Sequence, residues 1–290
     1  MRVLVTGAGG QVGSDIVAEL NRRNEARTAR ALIDIVGATH DDLDIAERDV
    51  VHMLIRTIEP DVIIHPAAFT AVDACESEVE RAFRVNYLGT RHLAEAAAGV
   101  GAHLCYLSTD YVFDGTLGRP YLEWDDPNPQ SVYGRSKLAG ERVLDLSSTI
   151  VRTSWVCGEH GSNMLKTVLR LVDKNDEPLR FVDDQRGCPT FAADLAPSVI
   201  ELALSRRRGI FHVTNQGPTT WFEFAREIVR LAGGDHLRVE PIATEELFPV
   251  RPAKRPMNSV LENAALLASG LSLLPDWHES AERLVRQLRG

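Results

Sequence analysis

The chain has 290 residues, 44% hydrophobic and 25% charged, with a formal net charge of -9 at pH 7. These values are typical of a globular protein with a sizeable core, either one large α/β domain with an appended lobe or two modest domains. The acidic balance argues against nucleic acid or an anionic membrane as the main partner, although helix N-termini and a few arginines can still hold a small anion.

The four cysteines, Cys75, Cys105, Cys157 and Cys188, are far apart and form no C-x-x-C pair. We therefore expect neither a zinc site nor a disulfide framework, and we predict no metal-binding residues. Cys105 lies in an apolar run and is interpreted as a buried core residue. The first residues do not have the layout of a signal peptide, and no apolar run approaches membrane-spanning length, so a cytoplasmic protein is expected.

A glycine-rich turn follows the first predicted strand, at residues 2–6. Gly7, Gly10 and Gly13 form G-x-x-G-x-x-G and precede an amphipathic helix that runs to about Arg23. In dinucleotide-binding proteins such glycines allow a tight turn, close approach to a pyrophosphate, and close packing of helix on strand. The unpaired N–H groups of the helix would face the phosphates. The position between strand and helix favours this interpretation over a turn without a ligand.

A second strand is predicted at residues 31–37, and its end does not decide between NAD and NADP. An acidic residue there is typical of NAD-binding proteins and a basic residue nearby of NADP-binding ones. This chain has Gly-Ala-Thr-His at 37–40, and Asp34 comes too early to contact a ribose. Dual use or a mild NADPH preference is therefore expected. Asp44 and Ile45 follow, in the loop before a helix that ends near Ile58.

A third strand, at 61–65, runs into PAAFTAVD at 66–73, where small residues would let a cofactor lie against the backbone. A long helical pattern spans 76–98 and contains Asn86, which either bridges backbone groups in the core or has a functional role. A fourth strand, at 102–107, delivers the hydroxyls of Ser108 and Thr109 at its carboxyl end. Ligands of open parallel sheets bind at that edge, which favours a site role for both hydroxyls.

A helix is predicted from Ser131, its N-cap, through Leu144. Tyr133 and Lys137 are four residues apart and share one face of it. The lysine charge would stabilise a phenolate and lower the pKa of the tyrosine toward neutrality, so that the pair could exchange a proton. This spacing is common by chance. The glycine turn and the segment 108–111 make a shared crevice the favoured interpretation.

The remaining elements lose the regular alternation of strand and helix. The predicted fold is α/β, a Rossmann-type doubly wound parallel sheet with a smaller C-terminal α/β substrate-binding lobe. We predict a dinucleotide-binding domain at 1–155 and a lobe at 156–290 that is interleaved with the end of the first domain. The expected elements are strands at 149–153, 180–182 and 210–214, helices at 163–172, 193–204, 221–232, 263–269 and 278–288, and a polar turn at 184–190.

The sequence resembles the extended short-chain dehydrogenase/reductase superfamily and, within it, the dTDP-4-dehydrorhamnose reductase family. The resemblance covers nearly the whole chain. The motifs that carry it are VTGAGGQVG (5–13), LDI (43–45), AAFTAVDACE (67–76), VNYLGTRHLA (85–94), STDYVFDG (108–115), YGRSKLAGE (133–141), RTSWV (152–156), DQRGCPT (184–190) and RPMNSVL (255–261).

The resemblance implies reduction of the 4-keto group of dTDP-4-dehydro-β-L-rhamnose to dTDP-β-L-rhamnose, the last step of dTDP-L-rhamnose synthesis, with NADPH preferred and NADH allowed. It implies that Tyr133 is the general acid and that Lys137 lowers its pKa and hydrogen-bonds the nicotinamide ribose. It further implies that Thr109 donates to the carbonyl oxygen.

The resemblance also assigns binding residues. Those for the cofactor, besides Tyr133 and Lys137, are Gly7, Gly10, Gln11 and Val12 at the pyrophosphate, Asp44 and Ile45 by the adenine, and Ala67, Ala68 and Thr70 along its length. Those for the sugar nucleotide are Thr70, Val72, Thr109, Asp110, Tyr111, Tyr133 and Trp155. Trp155 would stack on the apolar face of a deoxysugar, and Arg186 and Arg255 are candidates for the diphosphate.

Other readings remain open. Some family members are described as magnesium-linked dimers that use glutamates at the subunit contact, but residues 191–194 (FAAD) contain no glutamate. Magnesium, and the choice between monomer and homodimer, therefore stay undecided. One alternative function is a 4-ketoreductase for another dTDP- or UDP-deoxysugar. A second is a non-catalytic NADP-binding regulatory subunit, like the β-subunit of methionine adenosyltransferase. A purely structural Rossmann domain would leave Tyr133 and Lys137 unexplained.

Overall fold

The computed structural model describes residues 1–26, 32–174 and 177–290. Its strands are β1 (Arg2–Thr6), β2 (Asp34–Ala38), β3 (Val62–His65), β4 (His103–Thr109), β5 (Thr149–Thr153), β6 (Val156–Cys157), β7 (Leu179–Val182), β8 (Arg186–Gly187), β9 (Thr190–Phe191), β10 (Gly209–His212), β11 (Thr219–Thr220) and β12 (Val239–Ile242).

Its α-helices are α1 (Gln11–Glu25), α2 (Arg48–Ile58), α3 (Val72–Ser77), α4 (Val79–Phe83), α5 (Thr90–Val100), α6 (Val132–Arg142), α7 (Met164–Lys174), α8 (Ala192–Leu204), α9 (Trp221–Leu231), α10 (Ala264–Ala268) and α11 (Trp277–Arg289). A π-helical segment, Arg84–Gly89, joins α4 to α5. Among these helices none is both long and apolar enough to cross a membrane.

The main sheet has six parallel strands in the order β10-β5-β4-β3-β1-β2. After β2 the chain passes back over β1 to form β3, so the direction of winding reverses between β1 and β3. At such a switch point the loops leave the sheet on opposite sides and open a crevice at the carboxyl ends of the strands. The fold class expected from the sequence, a doubly wound α/β sheet, is confirmed.

Helices cover both faces of this sheet. On one face α1 and α8 pack together and bury Ile16, Leu20 and Val199 against β1, β3 and β4. On the other face α2 and α5 bury Ile55 and Leu93. Full burial of one such side chain contributes about 1.5–3 kcal/mol, so the two layers hold the strand ends, and the loops that leave them, in fixed positions.

A second core lies among α7, α9, α11 and the parallel pair β7–β12, and it includes Leu165, Phe224, Ile228, Trp277 and Leu284. Residues 192–212 return to the main sheet, where α8 packs on α1 and β10 pairs with β5. The two cores are thus formed by interleaved segments. The division of the chain at residues 155 and 156 stays a prediction.

Most predicted elements are confirmed within one to three residues at each end. The strand predicted at 31–37 begins at a residue outside the described ranges, and the observed strand is Asp34–Ala38. The turn predicted at 184–190 contains β8 and the start of β9. The strands β6, β11 and β12 were not predicted. Most of these are two residues long, too short to show a hydrophobic period, and their pairing partners lie far away in the chain.

The single long helix predicted at 76–98 is wrong. The helical stretch starts at Val72, breaks at Glu78 (φ -110, ψ 49), and passes through the π-helical segment before α5. Such π-segments are often found beside functional sites. The backbone at Gly89 also lies tightly against Ile45, because a Cβ there would be 2.7 Å from the isoleucine side chain. This part of the chain adapts to its neighbours rather than following its helical periodicity.

Candidate active site

A cleft of about 810 Å³ opens at the carboxyl ends of the central strands. It is lined by every residue assigned above to the cofactor or the sugar except Lys137, while the two diphosphate candidates, Arg186 and Arg255, lie outside it. The predicted residues that line it are Gly7, Gly10, Gln11, Val12, Asp44, Ile45, Ala67, Ala68, Thr70, Val72, Thr109, Asp110, Tyr111, Tyr133 and Trp155. Segments far apart in the sequence therefore meet at this edge of the sheet.

The glycine turn forms one end of the cleft. Gly7 has a φ of +60, and a Cβ there would lie 2.9 Å from the Cα of Ala67. At Gly13 a Cβ would lie 2.1 Å from the carbonyl oxygen of Gly7, so α1 packs directly on the turn. The N-cap residue is Gly10, which has no side chain to cap the N–H groups of α1, and the first turn of α1 has no acidic residue. Open N–H groups without a competing carboxylate fit the pyrophosphate of a dinucleotide.

The side chain of Gln11 spans the cleft floor. Its amide donates to the carbonyl oxygen of Val156 at 2.9 Å, and its oxygen accepts from the amide of Asn163 at 2.8 Å. Gln11 therefore ties the start of α1 to the chain that follows β5. At Gln11 the cleft is lined by a side chain, whereas at the glycines it is lined by backbone alone.

No carboxylate of β2 lies at the cleft end of that strand. Asp34 is at the opposite end, where its carboxylate pairs with Arg2 at 2.6 Å, as its early position in the sequence suggested. Beyond β2, the N–H and hydroxyl of Thr39 donate to Asp42 at 2.9 and 2.7 Å. Thr39 and His40 line the cleft where an adenine ribose would lie.

Asn86 bridges backbone groups, which is one of the two roles the sequence left open. Its side-chain oxygen accepts from the N–H of Phe69 at 2.8 Å, and its amide donates to the carbonyl of Phe69 at 3.1 Å and to the hydroxyl of Ser136 at 2.9 Å. Phe69 stands between Ala68 and Thr70 on the cleft wall. The π-segment thus presents an amide that fixes this wall against α6.

The two hydroxyls at the end of β4 point to different partners. Ser108 donates to Glu141 at 2.5 Å, toward the protein interior. Thr109 donates to Asp110 at 3.0 Å and accepts from the N–H of Tyr111 at 3.2 Å, and it also hydrogen-bonds to Tyr133. Both residues line the cleft, but of the two only Thr109 contacts Tyr133, and a site role for the Ser108 hydroxyl stays a prediction.

The predicted N-cap of α6 is confirmed, since Ser131 accepts from the N–H of Gly134 at 3.1 Å. The close packing of Gly134 on the loop after β4 brings Tyr133 to the cleft beside Tyr111, with ring centroids 5.6 Å apart in an edge-to-face contact. Burial holds the pKa of Tyr133 well above its usual value, and the hydrogen bond with Thr109 lowers it only in part. A phenol in this state is protonated at neutral pH and can act as a proton donor.

The expectation that Lys137 lowers the pKa of Tyr133 toward neutrality is wrong. Lys137 is 2% exposed and does not line the cleft. Its ammonium donates to the carbonyl of Leu107 at 2.6 Å and lies 4.1 Å from the ring centroid of Tyr106. Because the ammonium is held there, the desolvation of the phenol decides its pKa and no fall toward neutrality occurs. Burial lowers the pKa of Lys137 itself to about 7.

Trp155 lines the cleft, and its contact with a sugar stays a prediction. One face of its ring stacks on Trp221, with centroids 3.6 Å apart and an interplanar angle of 6°, so that face is not available to a sugar. Trp155 has a φ of 47, a strained value for a bulky residue. A Cβ at Gly187 would lie 2.4 Å from its ring, so only glycine fits there. Two distant segments hold this strained tryptophan in place.

The two arginines proposed for a diphosphate do not stand free in the cleft. Arg255 forms a two-pronged pair with Asp73, at 2.9 and 2.7 Å, and also donates to the carbonyl of Ala253 at 3.0 Å. It therefore clamps the C-terminal loop onto α3. Arg186 is exposed, lies in β8 and does not line the cleft. Neither geometry supports the assignment to a diphosphate.

Several cleft residues were missed by the sequence analysis. They are Gly9, Thr39, His40, Asp41, Leu43, Pro66, Phe69, Arg81, Val85, Thr153, Ser154, Val156 and Trp221. Thr153 and Ser154 lie inside the RTSWV motif and could have been found there. The Thr153 hydroxyl is buried with no hydrogen-bond partner in the described ranges. No sequence signal marks Trp221, which reaches the cleft from the second core. Among the described residues no group of three or more His, Cys, Asp or Glu side chains could hold a metal ion.

The family described as RmlD substrate binding domain matches residues 1–289. A protein of Sinorhizobium fredii named dTDP-4-dehydrorhamnose reductase is 43% identical, over 98% of this chain and 97% of its own length. A protein of Streptomyces niveus named dTDP-4-keto-6-deoxy-D-glucose reductase is 39% identical, over 95% and 93%. The crystal structure of dTDP-4-dehydrorhamnose reductase from Bacillus anthracis in complex with NADP has a TM-score of 0.89 and 37% identity, and covers 99% of both chains.

Proposed function

The chain belongs to the RmlD substrate binding domain family, and from that premise we propose that it is an oxidoreductase of dTDP-L-rhamnose synthesis. The reaction is the reduction of the 4-keto group of dTDP-4-dehydro-β-L-rhamnose to a hydroxyl. The observation that carries the proposal is the convergence of two hydroxyls, from Thr109 and Tyr133, with a glycine cradle for a dinucleotide in one cleft. A non-catalytic nucleotide-binding subunit has no use for that convergence.

When bound, the nicotinamide cofactor supplies a hydride for the carbonyl carbon of the sugar. The chain then has to place a proton on the oxygen, where negative charge develops. The phenol of Tyr133 is protonated at neutral pH and donates that proton, and the hydroxyl of Thr109, in hydrogen-bond contact with it, orients the carbonyl. Positioned proton transfer of this kind contributes about 10²–10⁴-fold to a rate.

The binding roles follow the halves of the cleft. The cradle of Gly7, Gly10 and Gly13 receives the pyrophosphate, while Asp110, Tyr111 and Trp155 face the sugar nucleotide. We propose NADPH as the preferred cofactor, because a solved relative 37% identical to this chain is in complex with NADP. NADH remains allowed. The monomeric or homodimeric state, the role of magnesium and a cytoplasmic location remain predictions.

The experiment is a coupled assay. dTDP-4-dehydrorhamnose is generated freshly from dTDP-glucose by the two preceding enzymes, and NADPH oxidation is followed at 340 nm with the sugar product identified by chromatography. The assay is run with NADPH and with NADH, each with and without EDTA. The expected result is rapid oxidation that yields dTDP-rhamnose, faster with NADPH than with NADH. If the protein binds NADPH but leaves this sugar unreduced, the assignment of substrate is wrong.

A second candidate is a 4-ketoreductase for a different deoxysugar, and the Streptomyces niveus relative favours it as the alternative. That relative is named for the 4-keto-6-deoxy-D-glucose nucleotide, the intermediate that precedes epimerisation. Omitting the epimerase from the coupled assay supplies this sugar instead. Faster turnover without the epimerase would support the second candidate.

A further inference from the structure

A buried ion pair lies directly behind the predicted catalytic helix face. Glu141 follows Tyr133 and Lys137 at successive intervals of four residues, so all three share one face of α6. Its carboxylate accepts from Nε and Nη2 of Arg152 at 2.9 and 2.7 Å, and from the hydroxyl of Ser108 at 2.5 Å. The side chains of Arg152 and Glu141 are 2% and 4% exposed.

Stability alone is a weak reason for such a pair. Removing two charges from water costs several kcal/mol per ion, and well-packed apolar residues often replace a buried pair without loss. The position of this pair is more informative, because Glu141 lies four residues after the buried Lys137 on the same face of α6. Burial disfavours the charge of that amine, and the carboxylate of Glu141 opposes this effect by raising its pKa.

The other groups that face Lys137 do not supply a negative charge. On β3, His65 is fully buried, and burial lowers its pKa to about 3, so it is neutral. On β4, the Tyr106 ring and the Leu107 carbonyl contact the ammonium as a π-face and a dipole. On β5, Arg152 is itself cationic. From α3, Glu76 accepts from the N–H of Val132 at the far start of α6.

We infer that Glu141 is a positioning residue of the site: fixed by Arg152 and Ser108, its carboxylate favours the protonated form of the buried Lys137 side chain, one helical turn away on the face of α6 that carries Tyr133. The functional consequence of this inference rests on the proposed reductase function, but the electrostatic statement does not. If the charge of Glu141 is removed, Lys137 should lose its proton at lower pH, because burial is then opposed by no nearby carboxylate.

The chain has four lysines, at 137, 166, 174 and 254, which makes a direct titration practical. The protein without cofactor is labelled with ¹³C-lysine, the Cε shifts are followed from pH 5 to 11, and the Lys137 signal is assigned by its absence in Lys137→Met. In the wild type this signal should titrate near pH 7. In Glu141→Gln the midpoint should fall by about one unit or more.

Two further variants separate this role from general damage. Glu123→Gln is the matched control, because Glu123 is also buried but its carboxylate accepts from the N–H groups of His212 and Ala265 instead. It should leave the Lys137 midpoint unchanged. If Glu141→Gln fails to fold with Arg152 unpaired, Glu141→Gln combined with Arg152→Met removes both charges and should still lower the midpoint. An unchanged midpoint in the folded Glu141 variants would overturn the inference.

The activity assay adds a second readout. Because protonated Lys137 is assigned to the nicotinamide ribose, the pH above which kcat falls should be lower in Glu141→Gln by the same amount as the lysine midpoint. It should stay in place in Glu123→Gln. If neither the wild type nor the variants reduce the sugar, the proposed function is contradicted. A Lys137 midpoint that still falls in Glu141→Gln would then support the electrostatic role of Glu141 on its own. A kcat profile that does not follow a shifted midpoint would overturn the catalytic consequence.

Discussion

The two halves of the cleft are built by different means. The cofactor half is formed by backbone: three glycines, the open N-terminus of α1 and small residues after β3. The substrate half is formed by side chains from distant segments, such as the stacked pair Trp155 and Trp221 and the buried carboxyl of Asp110. The difference teaches that the shape of the cofactor half depends on backbone, with no room for a Cβ at Gly7 or Gly13, whereas the contacts of the substrate half are made by side chains that substitution can change. Specificity for a sugar is therefore expected to reside in the second half.

The largest effect should follow a single added carbon in the cofactor half. In Gly13→Ala the new Cβ would lie 2.1 Å from the Gly7 carbonyl oxygen, in a turn that cannot yield without moving α1. We expect NADPH binding to become undetectable by fluorescence titration and the free energy of unfolding to fall by about 1–3 kcal/mol. The control is Gly99→Ala, in the last turn of α5 with open space around its Cβ, which should keep full binding and gain less than about 1 kcal/mol of stability.

Tyr133→Phe tests the junction of the two halves. Loss of the phenol proton should lower kcat by about 10²–10⁴-fold, while the dissociation constant of NADPH stays within about twofold because the backbone cradle is untouched. Steady-state kinetics and fluorescence titration measure the two quantities separately. Tyr87→Phe removes a hydroxyl outside the cleft and should change neither. Retention of most of the turnover by Tyr133→Phe would show that another group is the acid.

Asp110→Asn measures what burial costs in the substrate half. Burial raises the pKa of Asp110 from 3.8 to about 6. Between these pH values the carboxyl is ionised in the unfolded chain but stays mostly protonated in the folded protein. The wild type should therefore lose stability as the pH rises from about 4 to about 6. Urea unfolding should show the variant gaining up to about 2–3 kcal/mol over the wild type between pH 4 and pH 7.

The exposed variant Asp126→Asn provides the reference for that measurement and should show no pH-dependent gain. A gain of equal size in both variants would mean that the pH dependence comes from the net charge of the chain. A constant difference between Asp110→Asn and the wild type across this range would show that Asp110 is ionised in the folded protein at all these pH values.

The smallest effect should come from the edge of the substrate half. Trp221→Leu removes the ring that supports Trp155 and forfeits about 0.5–1.5 kcal/mol of stacking. We expect the KM for the sugar nucleotide to rise up to about tenfold, with the dissociation constant of NADPH unchanged. Trp124→Leu is the control, since Trp124 is exposed and lies outside the cleft. A matching loss of NADPH affinity in Trp221→Leu would show that the two halves are not separable.

Much of the cofactor half could be predicted from the sequence. The glycine spacing, the apolar runs of β1, β3 and β4 and the cap at Ser131 act within a few residues, so local rules were sufficient to place them. The interruption of the predicted helix at 76–98 could not be foreseen, because the π-segment is shaped by contacts of Asn86 and Gly89 with other parts of the chain. Helical periodicity there is real but is overridden by packing.

The sequence by itself determined the α/β class, the cradle for a dinucleotide and the sharing of one helix face by Tyr133 and Lys137. Only the tertiary structure decided what those side chains contact. It directs Ser108 to Glu141, engages Arg255 with Asp73, covers Trp155 with Trp221 and leaves the pKa of Tyr133 raised. The physical reason is the sequence separation over which each interaction acts. Backbone geometry is set by neighbours in the chain, whereas burial and charge at a side chain depend on partners that folding brings from far away.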